Sequence, residues 1–125
     1  MTTNDGRDPI WLSETAAENI RIINRSTILT RDAGGYSAPG ELFSTVLNLA
    51  TLAQRLPQLL QQASSWLERE DEHDRLYHDG GASSMQCSLA VGGALTELDN
   101  AVRFARMLEG ALDGAANRLS HLGQK

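Results

Sequence analysis

The sequence predicts an all-α protein with a short N-terminal helix and two long antiparallel helices. Two long stretches carry apolar residues in steps of four and three, which places them along one side of a helix. In the central stretch this stripe contains Leu42, Val46, Leu49, Ala53, Leu56, Leu60, Ala63 and Leu67. In the last stretch it contains Cys87, Val91, Ala94, Leu98, Ala101, Ala105, Leu108, Leu112, Ala115, Leu119 and Leu122. Composition agrees, because only 5% of the residues are aromatic and β-sheets favour aromatic and β-branched side chains.

We expect a single domain, because 125 residues is an ordinary length for one core. A capping box at Ser83-x-x-Gln86 marks the start of the last helix. Only about six residues join the two long helices, so these helices must run antiparallel. The predicted segments are a disordered lead-in at residues 1–8, a first helix at 9–29, a central helix at 41–77 and a last helix at 84–122.

Two signals compete for the start of the first helix. Asp8 can cap a helix whose first residue is Pro9, a position that suits proline. Thr15-x-x-Glu18 has the spacing of a capping box, which would start the helix later. The sequence therefore leaves the start open between Asp8 and Thr15.

Pro57 lies in the middle of the central stretch. A proline there removes one backbone hydrogen bond, and its ring clashes with the carbonyl group of Ala53. The apolar stripe nevertheless keeps its phase on both sides, which a broken helix would have little reason to do. The pattern therefore favours a kink at Pro57 over a break.

A second apolar column, with Leu52, Leu59 and Trp66 seven residues apart, widens the central stripe, and it predicts self-association. Each long helix would extend about 54 Å, and one short helix cannot cover two wide stripes over that length. Two hairpins joined in a larger bundle would cover both stripes, so we expect a homodimer. A chain folded over itself at Pro57 is the monomeric alternative. The expected partner-binding side chains are those of Trp11, Leu52, Leu59, Trp66, Leu95 and Val102.

The charge balance argues against general affinity for nucleic acid or anionic lipid. The formal net charge is −5, whereas such binding depends on clustered lysine and arginine. The best local candidate is Arg21 with Arg25, one turn apart on the first helix and diluted by Glu14 and Glu18. This pair supports an alternative function, an accessory DNA-binding or transcription-regulating protein.

One acidic segment has the residue types of a metal site. If the central helix continues to residue 77, Asp74 and His78 lie one turn apart and could share zinc or manganese. No Glu-x-x-His pair occurs elsewhere, and the core positions are apolar where di-iron bundles place their ligands. We therefore expect a solvated acidic segment and neither a metal nor a cofactor. The segment contains Glu70, Asp71, His73, Asp74, His78 and Asp79.

Cys87 is the one candidate nucleophile. It falls in the first turn of the last helix, where backbone amides lower the pKa of a thiol. It also lies in register with the apolar stripe, where cysteine behaves as a small hydrophobic residue. His121, at the far end of the same helix, is too distant to act as its base within one hairpin. We expect Cys87 to be buried and structural, and no catalytic residue is predicted.

Several features favour a cytoplasmic protein. With one cysteine in the sequence, no intrachain disulfide can form. Residues 1–9 are polar and charged, without the apolar core of a signal peptide. No apolar run approaches the length of about 18 residues that suggests a membrane span.

The sequence thus predicts a non-enzymatic interaction module, a scaffold or regulator, that acts as a homodimer. Its length and helical hairpin are shared with the small helical-hairpin secretion substrates that carry a Trp-x-Gly turn. The connection here reads His78-Asp79-Gly80-Gly81-Ala82 and lacks that turn, so nothing is carried over from that family.

Overall fold

The computed structural model describes residues 8–28, 35–80 and 83–125, and the structural statements below concern those ranges. They form three helices and no strand, so the predicted all-α class is confirmed. The chain divides into two compact units, Met1–Ala38 and Pro39–Lys125, and we describe each by itself. The first unit contains α1 (Pro9–Ser26), and the second contains α2 (Pro39–Glu72) packed against α3 (Ser84–Leu119).

Helix α1 uses the first of the two predicted start signals. The Asp8 carboxylate accepts a hydrogen bond from the backbone N–H of Ile10 at 3.0 Å, and Pro9 is the first helical residue. Thr15 lies inside the helix, where its hydroxyl donates to the carbonyl of Trp11 at 2.8 Å. The predicted lead-in at residues 1–7 lies outside the described residues.

The end of α1 comes earlier than the predicted residue 29. The helix ends at Ser26, and Thr27 leaves the helical conformation with φ −105° and ψ 9°. The N–H of Gly35 then donates to the carbonyl of Ser26 at 3.1 Å. Gly35 has a φ of 79°, in the left-handed region that a glycine adopts without strain. The turn therefore satisfies one of the carbonyl groups left open at the helix end.

Helix α2 runs without interruption through Pro57, so the alternative of a broken helix is wrong. Pro57 is buried, as are Ala50 and Ala53 on the same side of α2. The proline ring therefore contributes apolar surface to the core of the hairpin, and this offsets the backbone hydrogen bond that it removes. The kink at this residue stays a prediction.

Helix α2 ends at Glu72, and the predicted end at residue 77 is wrong. Asp74 adopts a left-handed conformation with a φ of 53°, and its N–H donates to the carbonyl of Asp71 at 3.1 Å. The N–H of Arg75 donates to the carbonyl of Glu70 at 3.0 Å. These two bonds form a Schellman motif, which stops a helix and satisfies its last carbonyl groups. The Arg75 guanidinium also pairs with the Glu70 carboxylate at 2.8 Å.

Helix α3 begins at the predicted residue. The Ser83 hydroxyl accepts a hydrogen bond from the N–H of Gln86 at 3.0 Å, so the predicted cap is confirmed. The helix ends at Leu119 and not at residue 122, because the chain tightens into a turn in which Leu122 donates to the Leu119 carbonyl.

The hairpin core consists of small side chains. No large side chain among the described residues is fully buried, and small contacts allow two helix backbones to approach closely. The buried residues are Ala50, Ala53 and Pro57 on α2 and Cys87, Val91, Val102, Ala105 and Ala116 on α3.

Enlarging Ala53 tests this close approach. Ala53 is 0% exposed, so Ala53→Leu should lower the free energy of unfolding by about 1–3 kcal/mol through overpacking. Urea denaturation at one fixed protein concentration measures the change. Gln54→Leu, at the exposed neighbouring residue, is the matched control and should change stability by less than about 0.5 kcal/mol. Equal losses in the two variants would contradict the packing.

Changing Asp74 tests the stop signal of α2. Asp74→Gly should raise the free energy of unfolding by about 0.5–1 kcal/mol, because glycine adopts the left-handed conformation without strain. Asp74→Ala keeps a Cβ atom and loses the polar group, so it should lower stability. Urea denaturation of both variants gives the comparison, and a more stable alanine variant would rule out the left-handed cap.

Candidate protein interaction surface

One flank of α2 is apolar and exposed. Successive helical residues are rotated by about 100°, so Leu52, Leu59 and Trp66 lie about 100–140° around α2 from the buried Ala53. Their side chains are 39%, 55% and 54% exposed, respectively. Ala63 lies between them and is also exposed. The second apolar column of the sequence is therefore on the surface of the hairpin.

The opposite flank of α2 is mostly polar, although it also carries Leu47, which is 44% exposed. By the same rotation in the other sense, it carries exposed Gln54, Gln58, Gln61 and Ser65. A groove between the helices runs along this side. It is lined by Gln61, Ser64, Ser65 and Glu68 of α2 and by Leu95, Asp99 and Val102 of α3. This groove shows which side of α3 shares the polar side of the hairpin.

The exposed alanines of α3 lie on the other side. Ala94, Ala101 and Leu108 are about 80–120° around α3 from Val102, in the sense opposite to Asp99. Since Asp99 borders the polar groove, these three residues share the side that carries Leu59. Ala94 and Leu108 are exposed and Ala101 is half-buried. We call this side the apolar face: Leu52, Leu59, Ala63, Trp66, Ala94, Ala101, Leu108 and Ala115. The exposed Glu97 borders it, at the same rotation around α3 as Ala115.

Two predicted partner-binding residues of α3 have a different location. Val102 is 4% exposed and packs inside the hairpin, and Leu95 is half-buried at the polar groove. Neither lies on the apolar face. Two largely apolar columns of α3 lie on either side of Leu98, Ala105 and Leu112, and either could have faced α2. In the structure the column on the α2 side contains Leu95, Val102, Glu109 and Ala116, which are buried or half-buried. The other column contains Ala94, Leu108 and Ala115, which are exposed.

Trp11, the remaining predicted partner-binding residue, belongs to the first unit. Helix α1 has no buried residue, and Trp11 is among several of its apolar side chains that are exposed. The others are Ile10, Leu12, Ile20, Ile22 and Ile23.

The predicted nucleic-acid contact is partly occupied within α1. The Arg21 guanidinium donates to both carboxylate oxygens of Glu18, at 2.9 and 2.5 Å. This hydrogen bonding holds the pKa of Glu18 below its ordinary value and raises the pKa of Arg21. A phosphate would have to compete with Glu18 for the guanidinium, which leaves Arg25 as the other charge of the pair.

The acidic segment is part of the connection between the two long helices. Glu70 pairs with Arg75, and Asp71 accepts a hydrogen bond from the Ser88 hydroxyl at 3.2 and 3.3 Å to its two carboxylate oxygens. The N–H of Gly80 donates to Nδ1 of His78 at 3.1 Å. The one-turn spacing of Asp74 and His78 is lost because α2 ends before them. Within the described ranges, no three histidine, cysteine, aspartate or glutamate residues form a potential metal site.

Cys87 is buried, as its register predicted. It lies in the first turn of α3 beneath an open depression that Tyr77, His78 and Ser83 also line. Its burial limits access to the thiol, so the position is that of a small core residue.

None of the helices in the described part of the chain combines the length and apolarity needed to cross a bilayer. Comparison with protein-family models, with curated proteins and with solved structures yields no match to this chain.

The pairing of Glu18 with Arg21 makes a prediction about pH. Arg21→Ala should raise the pKa of the Glu18 carboxyl towards its ordinary value, because the hydrogen bonds that favour the charged form are gone. Since the folded pKa is lowered, the pair contributes stability above the unfolded pKa and loses it as the pH falls through the folded pKa. Carboxyl NMR titration measures the shift. Arg25→Ala is the control, and an equal shift in it would contradict the assignment.

Proposed function

We propose that this protein is a non-enzymatic interaction module, a scaffold or regulator, that acts in the cytoplasm as a homodimer through the apolar face. The observation that carries the proposal is the exposure of Leu59 and Trp66, each more than half accessible, on one side of the hairpin. Isolated exposed apolar residues are common on soluble proteins, but a larger exposed apolar patch marks an interaction surface.

The size of the apolar face supports a dimer. From residue 94 to residue 115 the face advances about 32 Å along α3, at 1.5 Å per residue. Two helices side by side are about 20 Å wide, so each copy offers roughly 600 Å². Two copies would bury about 1,200 Å², which is at the lower end of standard-sized specific interfaces. A second hairpin is thus large enough to cover the face.

The chemistry of the described side chains also favours an interaction module. Two acidic side chains near the hairpin turn have partners, since Glu70 pairs with Arg75 and Asp71 accepts from Ser88, and the one thiol is buried. Arg21 is paired with Glu18, which weighs against the DNA-binding alternative. The net charge of −5 opposes phosphate binding in the same way.

Light scattering coupled to size exclusion tests the proposal. We expect a species near twice 13.6 kDa that dissociates on dilution. Leu59→Glu should weaken the dimer by about tenfold or more, because burying an unpaired carboxylate costs well over the 1.4 kcal/mol that corresponds to a factor of ten. Gln61→Glu introduces the same charge on the polar side and should leave the dimer intact.

The proposal predicts different outcomes for the two sides of the hairpin. A wild-type monomer at every concentration would overturn the homodimer. A dimer that Gln61→Glu weakens as much as Leu59→Glu would place the contact elsewhere. Circular dichroism should show the same helical content in both variants, since both residues are exposed.

A further inference from the structure

The apolar face is uneven, because most of its large side chains lie on α2 and most of its small ones lie on α3. Leu52, Leu59 and Trp66 project from α2, whereas Ala94 and Ala101 lie on α3. The face therefore has a ridge along α2 and a trough along part of α3. The shape of a partner must follow this division.

The hairpin connection shows which residues of α2 and α3 lie at the same height along the long axis of the hairpin. The hydrogen bond between Asp71 and Ser88 joins the end of α2 to the start of α3. Because the helices are antiparallel, a residue five positions before Asp71 is level with one five positions after Ser88. Trp66 is therefore level with Ala94 to within about one residue, or 1.5 Å, and Leu59 is likewise level with Ala101.

We infer that the homodimer forms about a two-fold axis that runs along the hairpin, so that α2 of each copy lies on α3 of the other. This inference rests on the proposed function. In that arrangement Trp66 of one copy packs on Ala94 of the second copy, and Leu59 packs on Ala101 of the second copy. Two of the three large side chains of α2 thus meet alanines, which allows dense packing without overfilled contacts, whereas Leu52 meets Leu108 of the second copy.

The competing face-to-face arrangement has its two-fold axis across the hairpin. It places α2 on α2, so that the ridges of both copies meet, and α3 on α3, so that the troughs meet. The ridges would hold the helices apart, and the alanines would line an unfilled gap. Empty apolar space loses the dispersion contacts of its lining, so this arrangement is less stable.

The inferred axis also preserves the antiparallel order of the hairpin. A rotation about the long axis keeps the direction of α2, so α2 runs antiparallel to α3 of the second copy as it does to its own α3. The result is a four-helix bundle in which neighbouring helices are antiparallel. The contact is isologous and closes on itself, so the face is used up in a dimer and does not extend into a fibre.

Cross-linking between two single-cysteine chains tests the axis. Both chains carry Cys87→Ala, which removes the native thiol. One chain then carries Leu59→Cys, and a second chain with a tag of different mass carries Ala101→Cys. Neither chain can form an intrachain disulfide, and a disulfide requires the two Cα atoms to approach within about 7 Å. After the chains are mixed and mildly oxidised, we expect the mixed pair as the main cross-linked product on a non-reducing gel.

A second pair guards against a local effect of removing Leu59. Ala63→Cys and Glu97→Cys lie near one level on α2 and α3, both residues are exposed, and they should give the same mixed product. Gln61→Cys with Asp99→Cys, on the polar groove, is the matched control and should not cross-link.

The outcomes separate this inference from the proposed function. If light scattering shows a monomer, the proposed function fails before cross-linking begins. If the protein is a dimer but Leu59→Cys chains cross-link to each other, or no mixed product forms with either pair, the inferred axis is wrong and the dimer stands. Cross-linking of the polar-groove pair would overturn the use of the apolar face.

Discussion

The hairpin depends on the contact between α2 and α3, in which all the buried side chains are small. Ala53 and Ala105 add little apolar area, so such a contact gains its stability from the close approach of two backbones and from dense packing. Leu59 and Trp66 are exposed, whereas several other leucines of the hairpin, such as Leu56, Leu60 and Leu98, are half-buried. A protein usually buries its largest apolar side chains first.

Much of the fold could be predicted because local signals and periodicity agree. Asp8 and Ser83 are capping residues with donors at the expected spacing, and both caps form. The apolar stripe continues in phase through Pro57, and the helix continues with it. These features depend on neighbours within about one helical turn, and such neighbours are visible in the sequence.

The apolar face could be predicted only in part, because two columns of α3 fit the same spacing. Leu98 and Ala105 belong to both columns, and apolarity alone cannot decide between Ala101 and Val102 as the next member. The α2-facing column also includes the half-buried Glu109, a charged residue that interrupts its apolar pattern. The decision is made by packing against α2, a contact between residues far apart in the chain. On α2 the sequence separates the two sets of residues, because Leu52 and Leu59 are rotated by about 100–120° around the helix from the buried Ala53.

The stop at the end of α2 shows a similar limit. A left-handed cap is usually a glycine, and here an aspartate takes that conformation. The hydrogen bond from Ser88 to Asp71 spans 17 positions in the chain, so no local motif announces it. The residue types of this segment suggested chemistry, whereas in the structure several of its side chains join one helix to the next.

The hydrogen bond from Ser88 to Asp71 also favours the observed register of the hairpin. If α3 slipped by one residue relative to α2, it would have to turn by about 100° to keep the same direction of contact. A different column of side chains would then replace the one that contains Ala101, and the exposed surface of α3 would change over the full length of the helix. A hydroxyl group near one end of α3 thus helps to determine which side chains the other end displays. A few atoms near the turn can in this way affect which side chains of α3 are exposed along its length.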